Sequence, residues 1–201
     1  MIKVNRKTTE SNITVCLDSK GIAENYREKI NTSIPFLNHM IEHIAWRCGM
    51  GIEVLVILDK FQLSHLICED VGMTLGKAVL EAVNRSSCAG FGNGISIMDE
   101  ARALVALSFE SRAIFIMDSL IEIPQETEDM NSEDLKTFLE GFAHGALCTM
   151  QIDVQRGENG HHIWEAIYRA LGIAIGAACH TDETRKGKTS GVAGKINYLV
   201  E

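Results

Sequence analysis

The sequence is poor in several features that mark special classes of protein. It has only two prolines among 201 residues, and none of its six cysteines forms a C-x-x-C pair. No apolar run reaches the ~18 residues of a membrane span, and the N-terminal stretch lacks the basic-then-apolar order of a signal peptide. Several cysteines lie in apolar stretches, where free Cys acts as a small hydrophobe. We therefore expect a cytoplasmic protein with reduced thiols and no membrane partner.

Positive charge is also in deficit. There are 19 Lys and Arg against 27 Asp and Glu, which gives a net charge of -8. This balance disfavours a broad nucleic-acid surface, although a local basic pocket for a small phosphate stays possible. With 46% hydrophobic and 23% charged residues, the chain is typical of one globular unit with a sizeable core.

Hydrophobic periodicity divides the chain into two similar series of strands and helices. A loop rich in glycine and serine, predicted at 85–94, separates them. The segments before this loop are predicted as strand, helix, strand and helix near 12–19, 33–49, 52–59 and 68–86. Those after it are predicted as two strands within 101–118, a helix within 131–150, a strand at 151–155 and a helix at 162–180.

The two series match when one is shifted by 96 residues. The shift places His65 on His161, Glu69 on Glu165 and Gly76 on Gly172. This match indicates an internal duplication, with a first half at 1–90 and a second half at 91–201 that together form one compact unit. Each half is predicted to be a β-sheet carrying two helices, which gives an α+β fold whose helices meet back to back.

The matched histidines and glutamates have the spacing of metal ligands on a helix. Residues i and i+4 share one face, so His161 and Glu165 can grip one ion, whereas His162 points about 100° away. A doublet followed by glutamate therefore suits two metal centres, and imidazole with carboxylate favours Mn, Fe, Zn or Ni. His39 and His43 form a further pair one turn apart. The alternative is that these are ordinary histidines of helix starts and amphipathic faces.

Five stretches resemble, in order, successive motifs of the imidazoleglycerol-phosphate dehydratase family: "RKTTESNI", "FLNHMIEHIA", "SHLICEDVG", "MDEARALVALSFESR" and "HHIWEAIYRALGIAI". The resemblance implies duplicated βαβ-type halves, like domain 2 of ribosomal protein S5, with helices between two four-stranded sheets. It also implies trimers that assemble into a 24-subunit shell, and two Mn²⁺ ions per site. The implied reaction removes water from imidazoleglycerol phosphate to give imidazole-acetol phosphate, in histidine biosynthesis.

The family pattern assigns roles to individual residues. It implies that His39, Glu69 and His162 share one metal, and that His65, His161 and Glu165 share the other. The carboxylates expected in catalysis are Glu10, Glu69 and Glu165, with Glu10 as a substrate-contacting acid/base candidate. Glu100 matches a polar position close to the site. The residues expected to contact the rest of the substrate are Arg112, Thr189, Ser190 and Lys195.

The chain also departs from the family. Leu66 replaces the second histidine of the first doublet, and our alignment puts Gly141 at another ligand position. His43 and His144 lie nearby and are expected as replacement ligands. Gly90 stands where the family has a phosphate-contacting arginine. These departures leave two alternatives open: a diverged member acting on another small phosphorylated substrate, or a non-catalytic metal-binding assembly protein.

Overall fold

The computed structural model describes residues 1–59, 62–85 and 87–194, together with 197 and 199. Most of the described chain lies in strands and helices of two similar halves. The strands are β1 Ile2–Lys7, β2 Ser11–Asp18, β3 Ile30–Asn31, β4 Gly51–Leu58, β5 Phe91–Met98, β6 Ala101–Ser108, β7 Ile114–Ser119, β8 Glu126–Thr127, β9 Met130–Asn131 and β10 Thr149–Arg156. The helices are α1 Pro35–Cys48, α2 Ser64–Arg85, α3 Ser132–Ala146 and α4 Gly160–Ala178.

The two large sheets share one topology. Their strand orders are β1-β2-β4-β3 and β5-β6-β10-β7. The edge strands β3 and β7 run parallel to their neighbours β4 and β10, and the other pairings in the two sheets are antiparallel. Burial alternates along β2 and β6, so each sheet turns one face to the core. This arrangement confirms the predicted α+β fold class.

The four helices form the layer between the sheets. α1 packs on α4 and α2 packs on α3, while α2 covers the first sheet and α4 covers the second. The contacts therefore cross between the halves and join them through one hydrophobic core. Two hydrogen bonds also tie α4 to α3: Trp164 Nε1 donates to Ser132 Oγ at 2.9 Å, and the Tyr168 hydroxyl donates to the Leu135 carbonyl at 3.0 Å.

One predicted loop is partly a strand. The prediction of a loop at 85–94 is wrong for residues 91–94, because β5 begins at Phe91. Glycine in a sequence commonly indicates a loop. Gly92 and Gly94 instead lie in the strand and face α4. A β-carbon on either glycine would lie 2.3 Å from a carbonyl oxygen of α4. The glycines are there because the helix packs directly on the strand backbone.

In the part of the chain that the structure describes, no helix combines the length and hydropathy that crossing a membrane requires.

Candidate functional site

The N-terminus of α4 presents the histidine doublet. Asn159 is the N-cap, and its Oδ1 accepts hydrogen bonds from the backbone N–H groups of His161 and His162. This cap satisfies two of the donors that a helix start leaves free. The doublet is thereby fixed at the first turn, where both rings are half-buried.

Glu165 lies one turn further along α4 and is the centre of a cluster of imidazoles. It is only 3% exposed. Its Oε2 lies 3.2 Å from His161 Nε2 and 3.6 Å from His39 Nε2, and its Oε1 lies 3.2 Å from His43 Nε2. The His39 and His43 Nε2 atoms are 3.2 Å apart. These four residues, His39, His43, His161 and Glu165, are called the Glu165 cluster below.

The Glu165 cluster fits a divalent metal. One donor atom from each of His39, His43 and Glu165 lies within 4.8 Å of the others, so a single ion can be reached by all three. Burial is the largest cause that lowers the pKa of His43, to about 4. His43 is therefore neutral at pH 7, with an imidazole lone pair available for coordination. Such an N/O donor set suits Mn, Fe, Zn or Ni.

Arg169 is a member of this site that the sequence reasoning missed. Its guanidinium contacts Glu165 Oε1 and also donates to the Ile97 carbonyl at 3.0 Å. It lies one turn after Glu165 on α4, on the same face. The four-residue spacing of Glu165 and Arg169 in a predicted helix was therefore the sequence signal that could have indicated this ion pair. Arg169 places a positive charge against the buried carboxylate of Glu165, which offsets part of the cost of burying it.

His162 faces a second pair of carboxylates. Its Nδ1 lies 2.7 Å from Glu100 Oε2, and its Nε2 lies 3.9 Å from Asp99 Oδ2. Glu100 also accepts hydrogen bonds from the backbone N–H groups of Glu158 and Asn159. Hydrogen bonds lower the pKa of Glu100 to about 2, and the bond from the Asn159 N–H contributes most. The hydrogen bond with Glu100 in turn raises the pKa of His162. Glu100 thus links the β5–β6 turn to the start of α4.

The start of α2 forms a separate cavity. Glu10, His65 and Glu69 line a space of about 320 Å³ together with Arg6 and Asp70. The three candidates have exposed side chains. The carboxylate of Asp70 already has partners within the chain: it accepts a hydrogen bond from Ser11 Oγ at 2.5 Å and forms an ion pair with Arg6 Nη1 at 2.6 Å. Glu69 lines this cavity, and its carboxylate has no hydrogen bond or ion pair among the described residues.

Within one chain, the structure divides the predicted ligands into two groups. His65 Nδ1 lies 3.5 Å from Asp134 Oδ1 on α3, and no hydrogen bond or ion pair among the described residues joins His65 or Glu69 to the Glu165 cluster. His39 lies beside Glu165, although the family pattern assigns these two to different metals. The metal roles themselves stay predictions.

Gly141 is a packing residue in this fold. A β-carbon there would lie 2.6 Å from the backbone oxygen of Glu69, and Gly72, Gly76 and Gly145 have similarly close contacts between α2 and α3. Any side chain at 141 would force the two helices apart. His144, expected as a replacement ligand, is exposed, and it lies ten residues beyond Asp134, or about 15 Å along the helix. His144 is thus remote from His65 in the same chain.

Another cavity lies at the end of the second sheet that is away from the start of α4. It has a volume of about 710 Å³ and is lined by Glu110, Arg112, Lys188, Thr189 and Ser190, among others. Three predicted substrate contacts, Arg112, Thr189 and Ser190, therefore share one cavity. The fourth, Lys195, lies outside the described residues.

Two features of this cavity reduce its positive charge. Arg112 Nη2 donates to Glu110 Oε2 at 2.5 Å, and Ser108 Oγ donates to Glu110 Oε1 at 3.0 Å. Gly90 has a left-handed φ of +72°, and a β-carbon there would lie 1.8 Å from Ser190 Oγ. Ser190 thus fills the space that a side chain at 90 would need, and Glu110 neutralises Arg112.

The fold and site define an internally duplicated α+β protein with a buried carboxylate encircled by imidazoles. The family model described as "Imidazoleglycerol-phosphate dehydratase" matches residues 32–175. The chain belongs to this family, whose members are hydro-lyases. A relative of that name from Clostridium novyi (strain NT) is 34% identical over 92% of this chain and 93% of its own length. Another, from Burkholderia cenocepacia (strain HI2424), is 33% identical over 96% of this chain and 98% of its own length.

Solved structures give the same assignment. The chain is similar to the enzyme from Pyrococcus furiosus, solved in complex with (S)-C348, with a TM-score of 0.79 and 31% identity over 96% of this chain and 99% of that one. It is also similar to imidazoleglycerol-phosphate dehydratase from Staphylococcus aureus subsp. aureus N315, with a TM-score of 0.73 and 25% identity over 88% and 98% of the two chains.

Proposed function

We propose that this chain removes water from imidazoleglycerol phosphate to give imidazole-acetol phosphate, and that it needs a divalent metal, with Mn²⁺ as the expected ion. The observation that carries the proposal is the Glu165 cluster. The Glu165 carboxylate is 3% exposed, and the ion pair with Arg169 offsets part of the cost of burying it. Three imidazole Nε2 atoms lie within 3.6 Å of it, which is the donor set that such a metal prefers.

His43 would complete the donor set in this chain. The resemblance implies a glutamine at this position, and the imidazole of His43 offers a nitrogen donor in its place. His43 Nε2 is close to both His39 and Glu165, so the ligand missing elsewhere in the sequence is compensated here. When bound, the metal would act as a Lewis acid towards the substrate imidazole and stabilise the negative charge that follows proton loss at the adjacent carbon.

A complete active site would need more than one copy of the chain. The Glu165 cluster and the cavity with Glu10, His65 and Glu69 are not joined by any hydrogen bond or ion pair within the described ranges, and the family pattern requires donors from both. We propose that copies meet so that the α2 start of one faces the α4 start of another. Glu10 would then act on the substrate protons as an acid/base group, as the resemblance implies. Trimers and a 24-subunit shell stay predictions.

The direct test is an assay of the reaction after metal reconstitution. Purified protein is stripped with a chelator, supplied with Mn²⁺ and incubated with imidazoleglycerol phosphate, and the ketone of imidazole-acetol phosphate is measured. Glu165→Gln removes a charged donor at nearly constant size and is expected to abolish most activity. Glu140→Gln, at an exposed position of α3, is the matched control. Absence of turnover in the reconstituted wild-type protein would refute the proposal.

The cavity around Arg112 supports a second candidate, a dehydratase for a related substrate with a less charged tail. Losing a charge-assisted bond to phosphate costs about 1.5–3 kcal/mol. Here Arg112 is paired with Glu110, and Gly90 provides no side chain. Metal binding without turnover of imidazoleglycerol phosphate, but with turnover of an unphosphorylated analogue, would favour this candidate. Metal binding without any turnover would favour the non-catalytic assembly protein.

A further inference from the structure

A strained turn lies next to the histidine doublet. β8 and β9 pair antiparallel and are joined by the two-residue loop 128–129. Glu128, the first residue of this loop, has a left-handed φ of +53°. Glycine is strongly favoured at such a position in a two-residue hairpin, because a β-carbon crowds the backbone there. A glutamate at this position needs a compensating contact.

The carboxylate of Glu128 makes that contact with His161. Its Oε1 lies 2.9 Å from His161 Nδ1. The hairpin itself is held against α4: Thr127 is buried, and Gly160 lacks a side chain where a β-carbon would lie 2.4 Å from Thr127 Oγ1. Because the hairpin backbone is fixed on the helix start, the Glu128 side chain reaches the ring from a defined position.

The contact determines which nitrogen of His161 is free. A carboxylate accepts a hydrogen bond, so it favours the ring form that carries its hydrogen on Nδ1. Glu165 Oε2, 3.2 Å from Nε2, competes for the ring hydrogen. Glu128 is closer to the ring, and Glu165 also pairs with Arg169 and His43, so the hydrogen is favoured on Nδ1 and the lone pair on Nε2. Glu100 makes the same contact with Nδ1 of His162 at 2.7 Å. Each ring of the doublet therefore has one carboxylate on Nδ1, with Nε2 turned away from it.

We propose that Glu128 is a positioning residue for the metal centre, which holds the His161 ring with hydrogen on Nδ1 and the Nε2 lone pair directed at the Glu165 cluster. This inference rests on the proposed metal dependence. The unfavourable backbone of the β8–β9 turn is retained because the turn places this carboxylate. Partners of this kind orient metal-binding histidines and raise their basicity.

Glu128→Gly separates this role from a structural one. Glycine relieves the left-handed backbone, so the melting temperature is expected to stay equal or rise. The carboxylate is lost, so the Kd for Mn²⁺, measured by calorimetry, is expected to rise 10–100-fold. Glu128→Gln retains an acceptor oxygen and should give an intermediate Kd. Glu126→Gln changes an exposed acid two residues away and should change neither quantity. An unchanged Kd in Glu128→Gly, or a Kd loss that accompanies a lower melting temperature, would overturn the proposal.

A second measurement does not depend on metal. Histidine-selective ¹⁵N NMR of the metal-free protein is expected to show His161 with hydrogen on Nδ1 in the wild type. In Glu128→Gly the carboxylate of Glu165 remains 3.2 Å from Nε2, so the hydrogen is expected to move to Nε2. The same form in both proteins would overturn the proposal. If the wild-type protein binds no Mn²⁺, the proposed function fails by that result, and the NMR comparison still decides whether Glu128 sets the ring.

Discussion

Replacement of His43 with glutamine tests whether the cluster has gained a metal ligand. The change removes the Nε2 donor that lies 3.2 Å from both His39 Nε2 and Glu165 Oε1 and keeps a polar side chain. A four-ligand zinc site binds with roughly 10–16 kcal/mol, or about 3 kcal/mol per ligand. At 1.4 kcal/mol per tenfold change in Kd, we expect Mn²⁺ binding to weaken by on the order of 100-fold.

The assay is calorimetric titration of chelator-stripped protein with Mn²⁺ at pH 7, where His43 is neutral because its pKa is lowered to about 4. His180→Gln is the matched control, since it removes an exposed histidine just after α4 and should leave Kd unchanged. Equal Mn²⁺ affinity in wild type and His43→Gln would refute the assignment of His43. Equal weakening in both variants would show that the loss is not specific to the cluster.

Three further changes test other parts of the account. Gly141→Ala should lower the free energy of unfolding by about 1–3 kcal/mol, measured in urea, because the new methyl group would meet the Glu69 backbone at 2.6 Å; an unchanged value would contradict the close helix packing. Glu110→Gln frees Arg112 for a phosphate, so KM for imidazoleglycerol phosphate should fall about tenfold in steady-state assays; a higher KM would contradict this role. The pKa of His43 is near 6.5 in the unfolded chain and about 4 in the folded protein. Its contribution to the free energy of unfolding, roughly 3 kcal/mol, is therefore present above pH 6.5 and lost as the pH falls to 4. Metal-free His43→Gln should lose less stability on acidification than the wild type, and an equal loss would contradict the lowered pKa.

Much of the fold was accessible from local patterns. The 3.6-residue period predicted all four helices α1 to α4, with the start of α2 placed four residues late, and the recurrence of histidine, glutamate and glycine at a 96-residue shift predicted the duplication. β5 was missed, because Gly92 and Gly94 are loop signals locally, whereas their role is to let α4 approach the strand. That approach is a tertiary contact, which no local pattern contains.

The candidate site also has a part that local sequence patterns predicted and a part that depends on tertiary contacts. The i, i+4 spacing of His161 and Glu165 is local, and it places both residues on one face of a helix as predicted. The carboxylates that orient the doublet are not local: Glu128 precedes His161 by 33 residues and Glu100 precedes His162 by 62. In the sequence, Glu128 lies in an acidic turn that is typical of a solvated loop. Its role depends on the backbone of the β8–β9 hairpin and on the packing of that hairpin against α4.

The most direct test of the central claim is anomalous diffraction at the manganese edge, from crystals of the assembled protein grown with Mn²⁺. The account predicts a peak within bonding distance of His43 Nε2 and the Glu165 carboxylate, with donors from a second copy of the chain completing the coordination. A map with no anomalous peak at the Glu165 cluster, at a Mn²⁺ concentration that saturates the protein in solution, would contradict it.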